Sequence, residues 1–548
     1  MFDLTAKLKT TIKGEVASDA ETLKRYSRDT SLFEVKPQAV VFPADRADIE
    51  SLVRFVNEHK PAEPSLSLTA RSAGTDMTGG PLNDSIILSL TEHLNRVDRV
   101  DEENLEAVVE PGVFYRDFEE KTLPKHISLP TYPASKSIAA LGGMIANNSG
   151  GEKTLRYGKT ADYVKEMEVV LADGESYTLK SLSPDELEEK KKQTDFEGEL
   201  YRRTHDLLEN NFDIIQKARP DVSKNSAGYA LWRVWDRQHF DLTQLFCGAQ
   251  GTLGIITKAK LRLIKDKPKR RLIALFFNNW DELPAVVNAL LPHDPEGLEA
   301  FDDETLKLGL RFMPEIAKRA GRNFFAFAWQ FWPEVLIGIK MLGLPKLIVL
   351  VQLAEDSEQA IDIKTAEIKR ALAGFRVHYR VLLTETEANK YWVMRRQSFA
   401  LLREHVKGKK TAPFIEDFCV KPEVIPEFLP QAIAILREHG IKVNIAGHAG
   451  NGNFHIIPLM DLRRQSERDK ITVVADKFYD LVVKYKGSIT AEHNDGIIRT
   501  PYLEKMYGTE IYDIFRQVKQ IFDPQNIFNP GKKIGGDIAY LKSHIAKD

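Results

Sequence analysis

The C-terminal part of the sequence contains two histidines and a carboxylate of the kind that bind metal ions. His448 and His455 flank a glycine-rich turn, and Glu492 follows one predicted helix later with His493 beside it. Neutral imidazoles and one carboxylate are the ligands of catalytic divalent metals that keep a position open for substrate. The alternative is a solvated turn whose histidines have no chemical role. We favour a metal held by His448, His455 and Glu492, with His493 free to move a proton.

The composition excludes several classes of protein. The chain has 548 residues, which is too long for one hydrophobic core. Its formal net charge is −2, so it lacks the positive electrostatic field that a nucleic-acid-binding protein needs. Cys247 and Cys419 are its only cysteines, which argues against a disulfide framework and an internal four-cysteine iron–sulfur cluster. The first residues lack a basic segment followed by an apolar run, so we expect a cytoplasmic protein without a signal peptide.

The most membrane-like segment is residues 335–353, but two lysines and a proline interrupt it, so it does not resemble one spanning helix. Residues 346–352 are predicted to form a buried strand. With the aromatic run of residues 324–332, the segment could make peripheral contact at the inner face of a membrane. Packing in the core is the favoured interpretation.

Three loops rich in glycine and other small residues accompany predicted strands in the first half of the chain. Residues 71–80 follow a strand at 66–70, residues 138–151 surround a small-residue helix, and residues 246–257 run into a further strand. Small residues let main-chain N–H groups approach an anion such as a pyrophosphate. No GxGxxG motif follows a strand into a helix, which disfavours a Rossmann nicotinamide site. The loops therefore predict a large cofactor of another kind.

These loops resemble the FAD-binding domain of the vanillyl-alcohol oxidase and para-cresol methylhydroxylase (PCMH) superfamily. The C-terminal half resembles the cap domain of its D-lactate, glycolate and D-2-hydroxyglutarate dehydrogenase branch. The resemblance also covers the histidine turn and residues 224–229 and 523–532. It implies an α+β fold, with a two-subdomain PCMH-type FAD-binding domain over residues 1–268. An α+β cap domain with an antiparallel sheet would follow over 269–548, and residues from about 515 to 548 would pack back on the FAD domain.

The resemblance further implies which residues bind cofactor, metal and substrate. FAD would be noncovalent, with the first loop on its pyrophosphate, and His493 would be the general base. The metal could be zinc, manganese or iron, since two imidazoles and one carboxylate suit all three. Arg395, or less well its neighbour Arg396, would pair with the substrate carboxylate. The implied FAD-binding residues are Arg71, Ser72, Ala73, Gly74, Thr75, Asp76, Met77, Pro133, Ala134, Ser135, Gly142, Gly143, Ala146, Asn147, Gly151, Gly254 and Ile256.

The expected function is FAD- and metal-dependent oxidation of a small D-2-hydroxy acid such as D-lactate. The metal would lower the pKa of the C2 hydroxyl, His493 would take its proton, and hydride would pass to flavin N5. Reduced FAD would then need an external acceptor: an iron–sulfur protein, an electron-transfer flavoprotein, a cytochrome or a quinone. An alkyl-glycerone-phosphate synthase-like transferase is an alternative that leaves the metal trio unused. A metallohydrolase is another, and it leaves the three loops unused.

Several positions depart from the family pattern or stay ambiguous. Asn451 stands where aspartate is frequent, and Asn494 replaces a common glycine, although asparagine tolerates left-handed backbone angles. Ile415 appears where 2-hydroxyglutarate enzymes would carry a substrate lysine, which disfavours a second carboxylate on the substrate. The adjacent Glu416 and Asp417 could support the site or lie on the surface.

Overall fold

A four-stranded sheet forms the first subdomain in the computed structural model, which describes residues 3–319, 323–405 and 408–547. The helix Arg46–His59 packs against this sheet. Asp45 caps it by accepting a hydrogen bond from the N–H of Asp48 at 3.1 Å, and its apolar side chains pack in the core of this sheet. The strands lie in the order Glu15–Ala17, Ala39–Phe42, Ile86–Ser89 and Leu68–Arg71, the last three parallel.

A six-stranded antiparallel sheet forms the second subdomain. Val170 and Ile255 from two of its strands join the hydrophobic core of the first sheet, so the two subdomains are packed together. The third glycine-containing loop runs into one of these strands, as predicted. The strands lie in the order Phe240–Asp241, Ser176–Leu182, Val164–Val170, Ile255–Arg262, Glu106–Val109 and Val97–Asp101. A separate pair, Ile127–Ser128 and Ile264–Lys265, lies beside it.

An eight-stranded antiparallel sheet forms the cap, so the predicted fold class is confirmed. The hairpin of Val443–His448 and Asn453–Met460 closes through a turn in which Gly452 has a φ of +65°. This hairpin brings His448 and His455 to neighbouring positions although they are seven positions apart in the chain. The strands lie in the order His378–Leu382, Lys269–Phe277, Leu347–Glu355, Gly297–Asp302, Val443–His448, Asn453–Met460 and Lys410–Thr411, and Phe418–Cys419 also pairs with Asn453–Met460.

The C-terminal segment pairs with the first subdomain. The N–H of Leu68 donates to the carbonyl of Ile527 at 2.7 Å, and the N–H of Asn529 donates to the carbonyl of Leu68 at 2.8 Å. The side-chain amide of Asn529 donates to the carbonyls of Gly80 at 2.9 Å and Gln250 at 2.7 Å. This one residue therefore joins the ends of the first and third loops.

The helices surround these sheets, and Cys247 and Cys419 are buried free thiols. Within the described part of the chain, none of the helices combines the length and the apolar character needed to traverse a bilayer. The remaining α-helices are Leu4–Thr11, Ala20–Tyr26, Tyr115–Thr122, Leu141–Asn147, Thr154–Tyr157, Pro184–Lys192, Phe196–Asn210, Phe212–Lys217, Thr243–Phe246, Leu283–Leu290, Asp303–Arg311, Met313–Arg319, Phe324–Trp329, Trp332–Lys340, Glu358–Leu372, Glu385–His405, Ile425–Glu438, Gln465–Lys484, Gly496–Arg499, Leu503–Tyr507, Thr509–Phe522 and Ile538–Ser543.

The favoured burial of the aromatic run at residues 324–332 is correct for Phe331, which is 8% exposed, but wrong for three other residues of the run. Phe325 is 78% exposed, Trp329 is 74% exposed and Trp332 is 52% exposed. Of the strand predicted at residues 346–352, in contrast, residues 347–352 lie within the observed strand Leu347–Glu355, and most side chains of that strand are buried. Apolar side chains are stabilised by burial, but composition alone does not show whether other parts of the chain pack over them.

Candidate active site

A cavity of about 500 Å³ is lined jointly by the three loops and the histidine cluster. Its lining includes every residue that the sequence proposed for FAD, metal, base or substrate, with the exception of Arg71. The side chain of Arg396 lies outside the described residues. The proposed residues that line the cavity are Ser72, Ala73, Gly74, Thr75, Asp76, Met77, Pro133, Ala134, Ser135, Gly142, Gly143, Ala146, Asn147, Gly151, Gly254, Ile256, Arg395, His448, His455, Glu492 and His493.

Arg71 is buried behind the first loop. Its guanidinium donates to the carbonyls of Arg28 at 2.7 Å and Tyr26 at 3.3 Å, and it lies 5.2 Å from the centre of the Tyr26 ring. A Cβ added to Gly74 would collide with this guanidinium. Arg71 therefore fixes the path of the loop from behind and is not part of the cavity wall.

The first loop has the features of an anion-binding turn. Gly74 has a φ of +67°, and among the described residues the main-chain N–H groups of Ala73, Gly74 and Thr75 have no acceptor. The hydroxyl of Ser72 donates to the carbonyl of Pro111 at 2.7 Å, which anchors the loop beside the second one. Successive free N–H groups around a left-handed residue form a concave site for phosphate oxygens, so this loop fits the pyrophosphate of FAD.

The predicted metal ligands come together at the cavity wall. One donor atom from each of His448, His455 and Glu492 lies within 4.8 Å of the others. The Nδ1 atom of His448 lies 2.5 Å from Oε1 of Glu299, and Nδ1 of His455 lies 3.3 Å from the carbonyl oxygen of Glu416. Metal-binding histidines are commonly held in this way, with the second nitrogen directed to an oxygen. The donor set fits a divalent cation.

A second group, Asp417, His455 and His493, has the same close spacing but fits a cation less well. Oδ2 of Asp417 accepts four hydrogen bonds, from the Thr490 hydroxyl and the N–H groups of residues 491–493, at 2.8–2.9 Å. Its Oδ1 accepts a further bond from the side-chain amide of Asn453 at 3.0 Å. With both oxygens occupied, Asp417 holds the segment that carries Glu492 and His493.

The charges of the ligand set suit metal binding. Burial lowers the pKa of His455 to about 4, helped by the neighbouring His493 and His448, so its imidazole is neutral. Burial would raise the pKa of Glu492, but Lys224 and His448 hold it well below its ordinary value. Glu492 is therefore an ionised carboxylate even though it is buried.

His493 lies between the metal ligands and two carboxylates. Its Nδ1 atom is 3.0 Å from Oε1 of Glu416, and its ring stacks on that of His455 with centroids 5.2 Å apart. Burial lowers the pKa of His493, but Asp417 and Glu416 outweigh it and raise the pKa to about 9. A divalent cation on Glu492 would oppose this charge and favour the neutral imidazole that can accept a proton.

Lys224 and Glu299 are site residues that the sequence reasoning missed. The buried ammonium of Lys224 contacts Oε1 of Glu492. Glu299 lies opposite His448 in the cap sheet, and its second oxygen contacts the guanidinium of Arg395. Lys224 begins a segment that supported the resemblance without receiving a role. Glu299 gave only a weak signal, a carboxylate inside an otherwise apolar strand.

Glu416 and Asp417 are both fully buried, which excludes a surface position for them. Glu416 contacts His493 through one oxygen and Arg499 through the other, at 2.8 Å. Burial would raise the pKa of Asp417, but His493 and His455 hold it below its ordinary value. The two carboxylates therefore position the histidines from behind.

We expect Asp417→Asn to weaken metal binding by about 10- to 100-fold, the usual cost of losing a group that orients the ligands. Asparagine has one acceptor oxygen and no charge, whereas Asp417 accepts five hydrogen bonds. The measurement is metal titration against a chelating dye, with FAD content as a check on folding. Asp241→Asn is the matched control, because Asp241 also accepts from a local N–H and hydroxyl, those of Thr243, but does not line the cavity. Equal affinities in the two variants would contradict the assignment.

Comparison with known families identifies two domains in this chain. The description "FAD binding domain" matches residues 37–180, and "FAD linked oxidases, C-terminal domain" matches residues 267–533. This chain carries an FAD-binding domain followed by the C-terminal domain of the FAD-linked oxidases. FAD is the cofactor that these two domains support. The resemblance found in the sequence is confirmed.

This chain has curated relatives whose names refer to small hydroxy acids. It is 28% identical over 533 residues to D-2-hydroxyglutarate dehydrogenase of Escherichia coli K12, covering 95% of this chain and 50% of the relative. It is 29% identical over 524 residues to the glycolate oxidase subunit GlcD of Bacillus subtilis 168, covering 93% and 92%. It is 26% identical over 498 residues to D-lactate dehydrogenase of Archaeoglobus fulgidus, covering 90% and 91%. The chain spans about half the length of the first curated relatives that it matches.

Solved structures of distant sequence share the fold. 4-Ethylphenol oxidase from Gulosibacter chungangensis has a TM-score of 0.68 at 18% identity, covering 98% of this chain and 97% of that one. An alkyldihydroxyacetonephosphate synthase has a TM-score of 0.67 at 14% identity, covering 97% and 86%. At such identities the likeness concerns the fold alone.

Proposed function

We propose that this protein is an FAD- and divalent-metal-dependent dehydrogenase of small D-2-hydroxy acids of the D-lactate type. The observation that carries the proposal is the position of His448, His455 and Glu492, with His493 beside them, on the same cavity as the FAD loops. A transferase without net oxidation has no need of this trio, and a metallohydrolase has no need of the loops. The names of the curated relatives support a hydroxy acid as substrate.

Each side chain has a distinct task in the proposed reaction. His448, His455 and Glu492 hold the metal, which supplies Lewis acidity at the C2 hydroxyl, while FAD supplies the acceptor for the hydride. His493 accepts the hydroxyl proton at Nε2, since its Nδ1 is directed to Glu416. The product is a 2-oxo acid, and an external electron acceptor completes the cycle.

The cavity favours a substrate with one carboxylate. Among the described residues that line it, Arg395 is the only lysine or arginine. The position at which 2-hydroxyglutarate enzymes would carry a substrate lysine is occupied by Ile415. This side chain is apolar, fully buried and outside the lining, so no second cation is present at that position. A single arginine matches the one carboxylate of D-lactate better than the two of 2-hydroxyglutarate. The D configuration rests on the names of the relatives.

We expect Arg395→Met to raise the substrate concentration for half-maximal flavin reduction by about 10- to 100-fold, because a charge-assisted hydrogen bond contributes roughly 1.5–3 kcal/mol. The limiting rate should change less, since the guanidinium binds the carboxylate and does not move the proton. Arg395→Lys, which keeps the charge, should give an intermediate value. The measurement is stopped-flow flavin reduction over a range of hydroxy acid concentrations. An unchanged concentration dependence in Arg395→Met would remove this residue from the substrate site.

The proposed function is tested by the anaerobic visible spectrum of the purified, metal-loaded protein with a panel of D- and L-2-hydroxy acids. Flavin bands that bleach with a D-monocarboxylic acid, and that stop bleaching after metal is removed by a chelator, would support it. Flavin that stays oxidised with every acid would discard the dehydrogenase activity while leaving the fold intact. Bleaching that persists without metal would retain the dehydrogenase and discard the metal.

A further inference from the structure

Several large apolar side chains among the described residues are exposed within one short part of the cap. They lie on the helices Phe324–Trp329 and Trp332–Lys340 and on the turn that follows. Leu342 is 96% exposed and Ile339 is 64% exposed. Single exposed apolar residues are ordinary, but a contiguous group marks a site of interaction. The group, here called the apolar surface, consists of Phe325, Trp329, Trp332, Val335, Leu336, Ile339, Leu342 and Leu344.

A second cavity of about 500 Å³ opens among the same helices. Its lining is almost entirely apolar and includes Phe276, Phe301 and Ile337. Its one carboxylate, Glu334, accepts a hydrogen bond from the Tyr391 hydroxyl at 2.5 Å and pairs with Lys390 at 2.9 Å. The polar groups at this cavity are thus satisfied by one another. Such a space suits a hydrocarbon chain and offers little to water.

The charge of the segment is opposite in sign to that of the whole chain. Residues 311–346 contain six basic and two acidic residues, a net charge of +4, whereas the full chain carries −2. One of the two acidic residues is the ion-paired Glu334, and the side chains of Lys318 and Lys340 are exposed. Exposed tryptophan and phenylalanine beside lysine are typical of helices that lie in the interface of an anionic membrane.

We propose that the apolar surface docks this protein on an anionic lipid bilayer. The aromatic and aliphatic side chains enter the boundary between headgroups and acyl chains, and Lys318 and Lys340 contact the anionic headgroups. The second cavity receives part of an acyl chain from the same leaflet. None of the eight residues lines the catalytic cavity, so docking is independent of the proposed reaction.

Cosedimentation of the FAD-loaded protein with vesicles tests this proposal. The wild type should bind vesicles of phosphatidylcholine mixed with phosphatidylglycerol, and should bind pure phosphatidylcholine more weakly. The double variant Ile339→Glu, Leu342→Glu should lower the partition coefficient at least about tenfold, because two apolar side chains no longer enter the lipid. The control Ile363→Glu changes a residue that is 54% exposed on another helix, and it should bind as the wild type does.

Tryptophan fluorescence gives a second readout that does not depend on charged variants. Anionic vesicles should shift the emission of the wild type to shorter wavelength, because Trp329 and Trp332 leave water. The double variant Trp329→Phe, Trp332→Phe should still bind, but without that shift. Absence of wild-type binding to anionic vesicles would overturn the proposal. Self-association that Ile339→Glu abolishes, without vesicle binding, would assign the surface to a second copy of the chain instead.

Discussion

The variant Glu492→Gln is expected to lose its bound metal and to reduce its flavin at least about 10³-fold more slowly with a hydroxy acid. An amide is a poor ligand for a divalent cation, and Lewis-acid activation of the hydroxyl contributes several kcal/mol to the barrier. The carboxylate is one of three donors within 4.8 Å of one another, so its loss leaves only two imidazoles. The measurements are metal content by elemental analysis and the anaerobic rate of flavin reduction.

A matched control separates the loss of a ligand from the loss of an ion pair. Glu492 contacts the buried Lys224, so the amide also leaves an ammonium without its counter-charge. Glu197→Gln creates a similar defect far from the cavity, because Glu197 is buried and lies 2.6 Å from Lys190. That variant should keep metal, FAD and full activity. If Glu492→Gln kept its metal and its rate, the ligand assignment would be wrong.

The variant His493→Ala is expected to keep FAD and metal but to lower the rate of flavin reduction by about 10²- to 10⁴-fold, the usual contribution of a general base. The imidazole is held by Glu416 at 3.0 Å and stacks on His455, yet it is not a member of the favoured ligand set. Its removal should therefore spare the metal. The rate is measured by anaerobic stopped-flow absorbance.

His439→Ala serves as the control for this experiment, since His439 is half-buried just after the helix Ile425–Glu438 and does not line the cavity. Loss of metal from His493→Ala would transfer His493 from the base to the ligand set. Undiminished flavin reduction would exclude it as the base. The pH dependence of the wild-type rate of flavin reduction provides an independent check that a titrating base takes part.

The sequence predicted the part of the site that is carried by short, contiguous segments. His448 and His455 lie on the two strands of one hairpin, whose turn contains Gly450 and Gly452, so their proximity follows from their order in the chain. Glu492 lies in the segment that follows the next helix, Gln465–Lys484. The left-handed angle expected at Asn494 is observed, with a φ of +74°. At such positions the residue type and the local backbone conformation favour the same structure, so a single sequence is enough to predict that structure.

The residues that orient those ligands could not be predicted in the same way. Glu299 is 149 positions from the histidine that it contacts, and Lys224 is 268 positions from Glu492. Their pairing depends on strand order and on how the two halves meet, which residue types alone do not specify. The exposed aromatic run was misjudged for a related reason, because periodicity describes a helix face but not what covers it.

The pairing of Leu68 with residues 527–529 has a consequence for how the chain acquires its native state. One edge of the first sheet stays uncovered during synthesis until about 460 further residues have left the ribosome, as the Thr69–Asn529 bond illustrates. Contacts of such sequence separation form slowly, and an unpaired strand edge invites aggregation meanwhile. Because Asn529 also fastens two of the three cofactor loops, stable retention of FAD belongs to the last stage of folding.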